Sequence, residues 1–311
     1  MELTCSFMTN QDELAAIWEG GCALYAHLCD REEELLENTN ALPAFMKVHL
    51  CLTADVDYAT SLLERAYERY EKDLSASQKE QVRALQYAAA LETYATYVQD
   101  PERIKPLLAL AERLFSAVDE QGDGSFAVQG HLLGASLALE RVRAICDLPI
   151  SKIAYGRRSE AYHKAYYRSR EGIYRAGDEA LLPNVHAAYY GFVSDDCYES
   201  VRDLLIAHSF EVPRCARGWL LMALYHLEAY DALFPALLEC GSPTPDGEPE
   251  ELWLLAALLT LLCGVNLEML GKGIHMADPH LPDYVGYRLV LPSPGGYLPF
   301  DGGEDIHDFL G

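Results

Sequence analysis

Along most of the chain, apolar residues recur every three or four positions, the period of an amphipathic helix. The clearest stretch follows Asp100-Pro101. Ile104, Leu107, Leu108, Ala111, Leu114, Phe115 and Val118 form one continuous apolar stripe there. Pro101 suits the first helical position and Asp100 the N-cap before it, while Gly122 and Gly124 close the element. The same pattern predicts twelve helices, over residues 11–29, 41–53, 55–73, 77–98, 101–120, 128–147, 157–176, 183–193, 195–208, 214–226, 228–239 and 249–270. Connections such as Ala54-Asp55, Ser75-Ala76, Gln99-Asp100 and Ser194-Asp195 are short, so successive helices pair antiparallel and the twelve make six hairpins.

Strand alternation is confined to the C-terminal end. Tyr287-Arg288-Leu289-Val290-Leu291 alternates and runs into Pro292, Pro294, Gly295 and Gly296. The Gly/Asp-rich tail from Tyr297 to Gly311 is expected to be an extended or partly mobile arm. The fold class is therefore all-α. Six hairpins can build an open solenoid or a closed toroid, and no motif recurs at a fixed spacing as a solenoid repeat requires. This favours a closed (α/α)6 barrel over residues 1–286, with the C-terminal strand and tail at 287–311. No Pro-, Gly- or Ser-rich linker divides the middle of the chain, so a single domain is expected.

Composition narrows the partners. The 311 residues carry 24 Lys and Arg against 48 Asp and Glu, a net charge of −24. Such a surface is unsuited to nucleic acid, whose phosphates need clustered Lys and Arg, or to anionic membranes. The longest apolar run, Leu252 to Val265, falls short of the roughly 20 residues that span a bilayer. Met1-Glu2-Leu3-Thr4 does not read as the start of a secretory leader, and a cytoplasmic location is expected. The nine cysteines are scattered without a CxxC pair, as expected of reduced, buried thiols. His131, His163, His186, His208, His226 and His275 are isolated, with no metal-ligand spacing, and each reads as an ordinary core or surface histidine. No nucleotide-binding motif is present, so neither a metal nor a cofactor is expected. Gly130 and Gly134 on one predicted helix mark close helix packing.

Two stretches carry a family resemblance. Leu3-Thr4-Cys5-Ser6, followed by Asn10-Gln11-Asp12-Glu13-Leu14-Ala15-Ala16-Ile17-Trp18-Glu19-Gly20-Gly21, resembles the entry into the catalytic domain of bacterial α-L-rhamnosidases, glycoside hydrolase family 78. Gly271-Lys272-Gly273-Ile274 and the run from Pro282 to Pro292 resemble that domain's exit. Between them, Asp123-Gly124 and the segment Asn184 to Val193 are similar to intermediate turns and helices of the family, in the same order. The resemblance implies an (α/α)6 barrel and hydrolysis of a small glycoside without a cofactor. Two loops depart from the family pattern. The first acidic loop reads Cys29-Asp30-Arg31-Glu32-Glu33-Glu34, without the expected Trp and Gly-Asp. The loop that would bear the base reads Asp246-Gly247-Glu248-Pro249-Glu250-Glu251-Leu252-Trp253.

An inverting glycosidase needs two carboxyl groups about 6.5–9.5 Å apart, one acid and one base. Asp30, Glu33, Glu250 and Glu251 are the catalytic candidates. Sugar C–H faces pack on aromatic rings, which makes Trp18, Trp219, Trp253 and Tyr189 substrate-binding candidates, with Arg217 beside them. The lost loop motifs keep an alternative open, a non-catalytic barrel that binds a sugar or a protein. That alternative predicts an aromatic pocket without a matched carboxylate pair. A third reading, a helical-repeat scaffold, predicts an open groove.

Overall fold

In a computed structural model of the chain, residues 5–75, 77–121, 124–150 and 152–303 are described, with the backbone alone for 152–154. The chain is mostly helical, with a small antiparallel sheet toward its C-terminus. In order the elements are β1 (Ser6–Thr9), α1 (Asp12–Asp30), α2 (Glu32–Glu37), α3 (Ala41–Thr53), α4 (Val56–Asp73), α5 (Gln78–Val98) and α6 (Pro101–Gln121). Then come α7 (Phe126–Ile145), α8 (Lys152–Tyr166), β2 (Tyr167–Arg168), β3 (Ile173–Tyr174), α9 (Leu181–Tyr189), α10 (Tyr198–Ala207) and α11 (Arg217–His226). The last are α12 (Tyr230–Glu239), α13 (Leu252–Ala257), α14 (Leu267–Gly271), β4 (Tyr287–Ser293) and β5 (Gly296–Gly302). Among the described residues no helix is long and apolar enough to cross a membrane.

The chain divides into two compact units. The first comprises Met1–Leu62, Thr93–Gln99 and Leu237–Gly311, and the second Leu63–Glu92 and Asp100–Ala236. In the first, β1, β4 and β5 form an antiparallel sheet with β4 in the centre, in register Ser6↔Val290 and Leu289↔Phe300. Tyr287, Leu289 and Leu291 alternate into the core, and β4 packs on α3. Asn10 ties the sheet's ends together. Its amide donates to the Tyr284 carbonyl at 2.9 Å and its Oδ1 accepts from Gly286 N–H at 3.1 Å. α13 lies against α3 and α1, and α3 is buried along nearly its whole length. α3 stops at Ala54, a left-handed residue with φ 55°.

In the second unit α6 packs on α7, α7 on α9, and α9 on α11. The stripe predicted for α6 is its buried face, and Asp100 Oδ1 caps the helix by accepting from Glu102 N–H at 3.0 Å. Ser125 caps α7 in the same way. A two-stranded hairpin, β2–β3, pairs Tyr167 with Tyr174. The fully buried Asn184 of α9 holds it, with its Oδ1 accepting from Tyr174 N–H at 3.0 Å and its amide donating to the Tyr174 carbonyl at 2.8 Å.

Several expectations are corrected. The helix expected over 157–176 ends at Tyr166 and gives way to β2–β3, turned at Gly172 with φ +69°. The helix expected over 249–270 is broken into a 3-10 turn at Pro249–Glu251, α13, a wider π turn at Leu258–Leu262, and α14. The break lies at Gly264, where φ is +67° and a Cβ would strike the Asp278 backbone. Asp278 N–H donates to the Gly264 carbonyl at 3.1 Å there. The short α2 was not expected. Strand β1 was not expected either; its four residues are too few to show a period, yet Phe7 stacks near Trp18 at 5.4 Å. Of the arm expected from Tyr297 to be extended or partly mobile, residues 297–302 are extended: with Gly296 they form β5, paired along its length with β4. The described residues thus hold fourteen helices rather than twelve. The expectations placed on Leu3-Thr4, Ala76, Gly122-Asp123 and residues 304–311 lie outside the described residues.

Candidate functional site

The predicted acids all belong to the first unit. Asp30 is exposed at the end of α1 and Glu33 is exposed on α2. Their neighbours Arg31 and Glu34 form a surface ion pair at 3.0 Å. Glu250 and Glu251 occupy the 3-10 turn before α13. Glu250 is half-buried and its carboxylate accepts a short hydrogen bond from the Asn38 amide. Glu251 is buried, at 7 % exposure, with Gly247 close against it. Asn38 also caps α3, its Oδ1 accepting from the backbone N–H groups of Asn40 and Ala41. Consecutive residues point to different sides of a helical turn, so Glu250 and Glu251 diverge rather than face one another.

The three tryptophans are buried, at 8 %, 8 % and 3 % exposure for Trp18, Trp219 and Trp253. Trp253 donates its indole N–H to the Asn40 carbonyl at 3.0 Å, and the Lys47 ammonium lies 5.9 Å from its ring centre. Trp18 packs on Phe7. These two rings are packed against protein on their faces, as core residues are. Trp219 and Tyr189, in the second unit, have ring centres 6.2 Å apart. Arg217 is the first residue of α11, two positions before Trp219.

Around Trp219 the second unit gathers side chains that the sequence pattern did not single out. His131 of α7 and His186 of α9 have ring centres 4.8 Å apart, and lie 4.9 and 5.2 Å from the Trp219 ring. Phe126 and Tyr190 flank them. Gln86 of α5 is 1 % exposed; its amide reaches His131 Nδ1 at 3.2 Å and donates to the Tyr190 hydroxyl at 3.3 Å. Tyr190 also makes a short hydrogen bond to His131 Nδ1. Burial holds the Tyr190 hydroxyl protonated, its pKa well above the usual range, so it donates and Nδ1 accepts. Burial also lowers both histidines. His186 is brought down to about 4, and His131 falls well below its ordinary value, helped by the neighbouring His186. Both imidazoles are therefore neutral at pH 7.

Three buried polar atoms of this cluster lack a hydrogen-bond partner: Gln86 Oε1, His186 Nδ1 and Trp219 Nε1. Close approach here depends on two glycines of α7. A Cβ at Gly134 would enter the Tyr190 ring, and one at Gly130 would stand 3.1 Å from His186 Nδ1. The close packing expected of Gly130 and Gly134 is thus the packing of α7 on the α9 segment that bears His186 and Tyr190. The signal for the cluster was present as polar Gln86 beside the apolar run Tyr87–Leu91 and His131 among apolar residues of α7, but their convergence is a tertiary fact.

Among the described residues no group of three or more His, Cys, Asp or Glu is placed to hold a metal ion. No protein-family profile matches the chain, and no curated protein sequence matches it.

Proposed function

We propose that this protein is a six-hairpin, rhamnosidase-like (α/α)6 barrel that binds a small neutral carbohydrate without hydrolysing it. The observation that carries this reading is the state of the four candidate acids. Two are exposed at helix ends, one is held by Asn38, and one is buried beside it on a diverging position. Inverting hydrolysis needs an acid and a base facing each other across the sugar ring. Burial along the chain supports the barrel. α3, α7, α9, α11 and α13 are buried on nearly all sides, whereas α1, α6 and α10, which precede three of them, bury only one stripe.

One observation favours a second reading, a glycoside hydrolase. Glu251 is a buried carboxyl beside the hydrogen-bonded Glu250, and burial is how general acids are tuned. A panel of aryl glycosides led by the α-L-rhamnoside separates the two. The proposed reading expects no aglycone release, together with saturable binding of a free sugar by calorimetry. Release that is lost in Glu250→Gln or Glu251→Gln would establish the hydrolase, and binding of no sugar at all would refute both.

A further inference from the structure

A cleft opens on the second unit between the entry to α9 and the exit of α10. It encloses about 380 Å³ and is open to solvent. Leu181 and Leu182 of α9, Leu204 of α10 and Pro213 beyond it supply its apolar lining. That lining is incompletely covered. The three leucines are half-buried and Pro213 is exposed, whereas Val201 and Leu205 of the same α10 are fully buried. Ile206 and Phe210, which alternate in sequence with the lining residues Leu204, His208 and Glu211, are exposed at 38 % and 60 %. Single exposed apolar residues are ordinary, but several gathered at a concave site mark a place that another molecule covers.

The formal charges at the cleft are acidic. Asp178, Glu179 and Glu211 line it, and no Lys or Arg does. Glu179 spends Oε1 on α9, accepting from the Leu181 and Leu182 N–H groups at 2.7 and 3.1 Å. Glu211 meets His208 at 2.9 Å. The exposed Asp178 carboxylate has no hydrogen bond or ion pair among the described residues. Arg175 donates to the Asp178 carbonyl at 3.0 Å but pairs its guanidinium with the Glu171 carboxylate. We infer that the cleft docks a peptide segment of a partner protein, one in which a bulky apolar side chain is flanked by Lys or Arg. The leucines and Pro213 take the apolar side chain out of water, and the flanking cations meet the carboxylates. The volume lies near the lower end of the roughly 300–1,000 Å³ of small-ligand pockets, which suits one or two anchoring side chains rather than a folded domain. A net charge of −24 draws such a segment in and repels an acidic one. This inference is independent of the carbohydrate-binding reading.

The test uses the full-length protein. A phage-displayed library of short random peptides is selected on it at about 0.15 M salt, and the recovered sequences are made as fluorescent peptides for anisotropy titration. The expected consensus sets Leu, Ile, Met or Phe between Lys or Arg residues. Its affinity should fall about tenfold or more in Asp178→Lys/Glu211→Lys, whose two sites are exposed and leave the core untouched. Glu64→Lys/Glu68→Lys, exposed on α4, changes the net charge by the same amount and should leave the affinity within about twofold. Replacing the central apolar residue of the peptide by Ser should weaken binding about as much as the cleft variant, a comparison that leaves the fold of the protein alone. Four results overturn the inference: no enriched sequence, a consensus without basic residues, binding that survives loss of the central apolar residue, or equal losses in the two double variants. The last would mark general attraction to an acidic protein.

Discussion

Acidification should weaken the fold well before the carboxylates titrate, and the buried histidines are the reason. An unfolded histidine titrates near pH 6.5, while His186 in the folded chain is depressed to about 4. A depressed histidine leaves stability intact above 6.5. As pH falls below that value the unfolded chain takes up a proton that the folded chain refuses. Stability then drains away until the folded pKa is reached. The full difference is about 2.5 pKa units, or roughly 3 kcal/mol, of which about 2 kcal/mol is already lost at pH 5. His131 acts in the same direction, as does His49, whose burial lowers it while Tyr25 donates to its Nδ1 and its Nε2 donates to the Asp55 carbonyl. Urea unfolding at pH 7.5 and pH 5.0 measures the loss. His186→Phe keeps an aromatic ring against Phe126 and Trp219 but removes the titration. The variant should lose about 2 kcal/mol less than the parent over this interval, whatever its stability at pH 7.5. Equal losses in the two proteins, or a His186 imidazole that titrates above pH 6 by NMR, would refute the reasoning.

Three further outcomes are expected. Gly134→Ala drives a methyl into the Tyr190 ring and should cost about 1–3 kcal/mol in thermal or urea unfolding, more than Gly124→Ala, where a Cβ meets nothing within 4 Å. Ala54→Gly should raise stability by roughly 0.5 kcal/mol, because relief of the left-handed strain at φ 55° outweighs the extra freedom of glycine in the unfolded chain. Thiol titration with an aromatic disulfide at pH 8 should label exposed Cys215 rapidly and Cys51 and Cys263 only on unfolding; burial pushes the Cys51 thiol up to about 12 and raises Cys263 as well.

Helices that bury a face were legible in the sequence, and those broken by a contact from outside the helix were not. α3 spans the predicted 41–53, and α6 buries the predicted stripe, because apolar period and caps agree locally. The breaks after Tyr166 and at Gly264 depend on contacts made by the chain after the helix has ended, with Asn184 in one case and the Asp278 backbone in the other. The same division runs through the candidate site. Residue type pointed to acids and tryptophans one at a time, but Glu250 gains its meaning from Asn38, more than two hundred positions away. His131 and His186 each looked unremarkable alone. Their pairing needs α7 and α9 side by side, which Gly130 and Gly134 permit but do not announce.

The tryptophans differ in how their indole N–H groups are satisfied. Trp253 and Trp219 are comparably buried, so replacing either by phenylalanine removes a similar amount of packed ring. Their indole N–H groups differ in partner. The Trp253 indole N–H donates to the Asn40 carbonyl at 3.0 Å, beside the Asn38 cap of α3, whereas the Trp219 N–H meets no acceptor. Loss of a satisfied hydrogen bond costs about 0.5–1.5 kcal/mol, and loss of an unsatisfied buried donor relieves a penalty instead. Trp253→Phe should therefore destabilise the chain by at least about 1 kcal/mol more than Trp219→Phe, when both are unfolded in urea without added sugar. If Trp219→Phe proves the more damaging of the two, the Trp219 N–H has a protein acceptor and the reasoning fails.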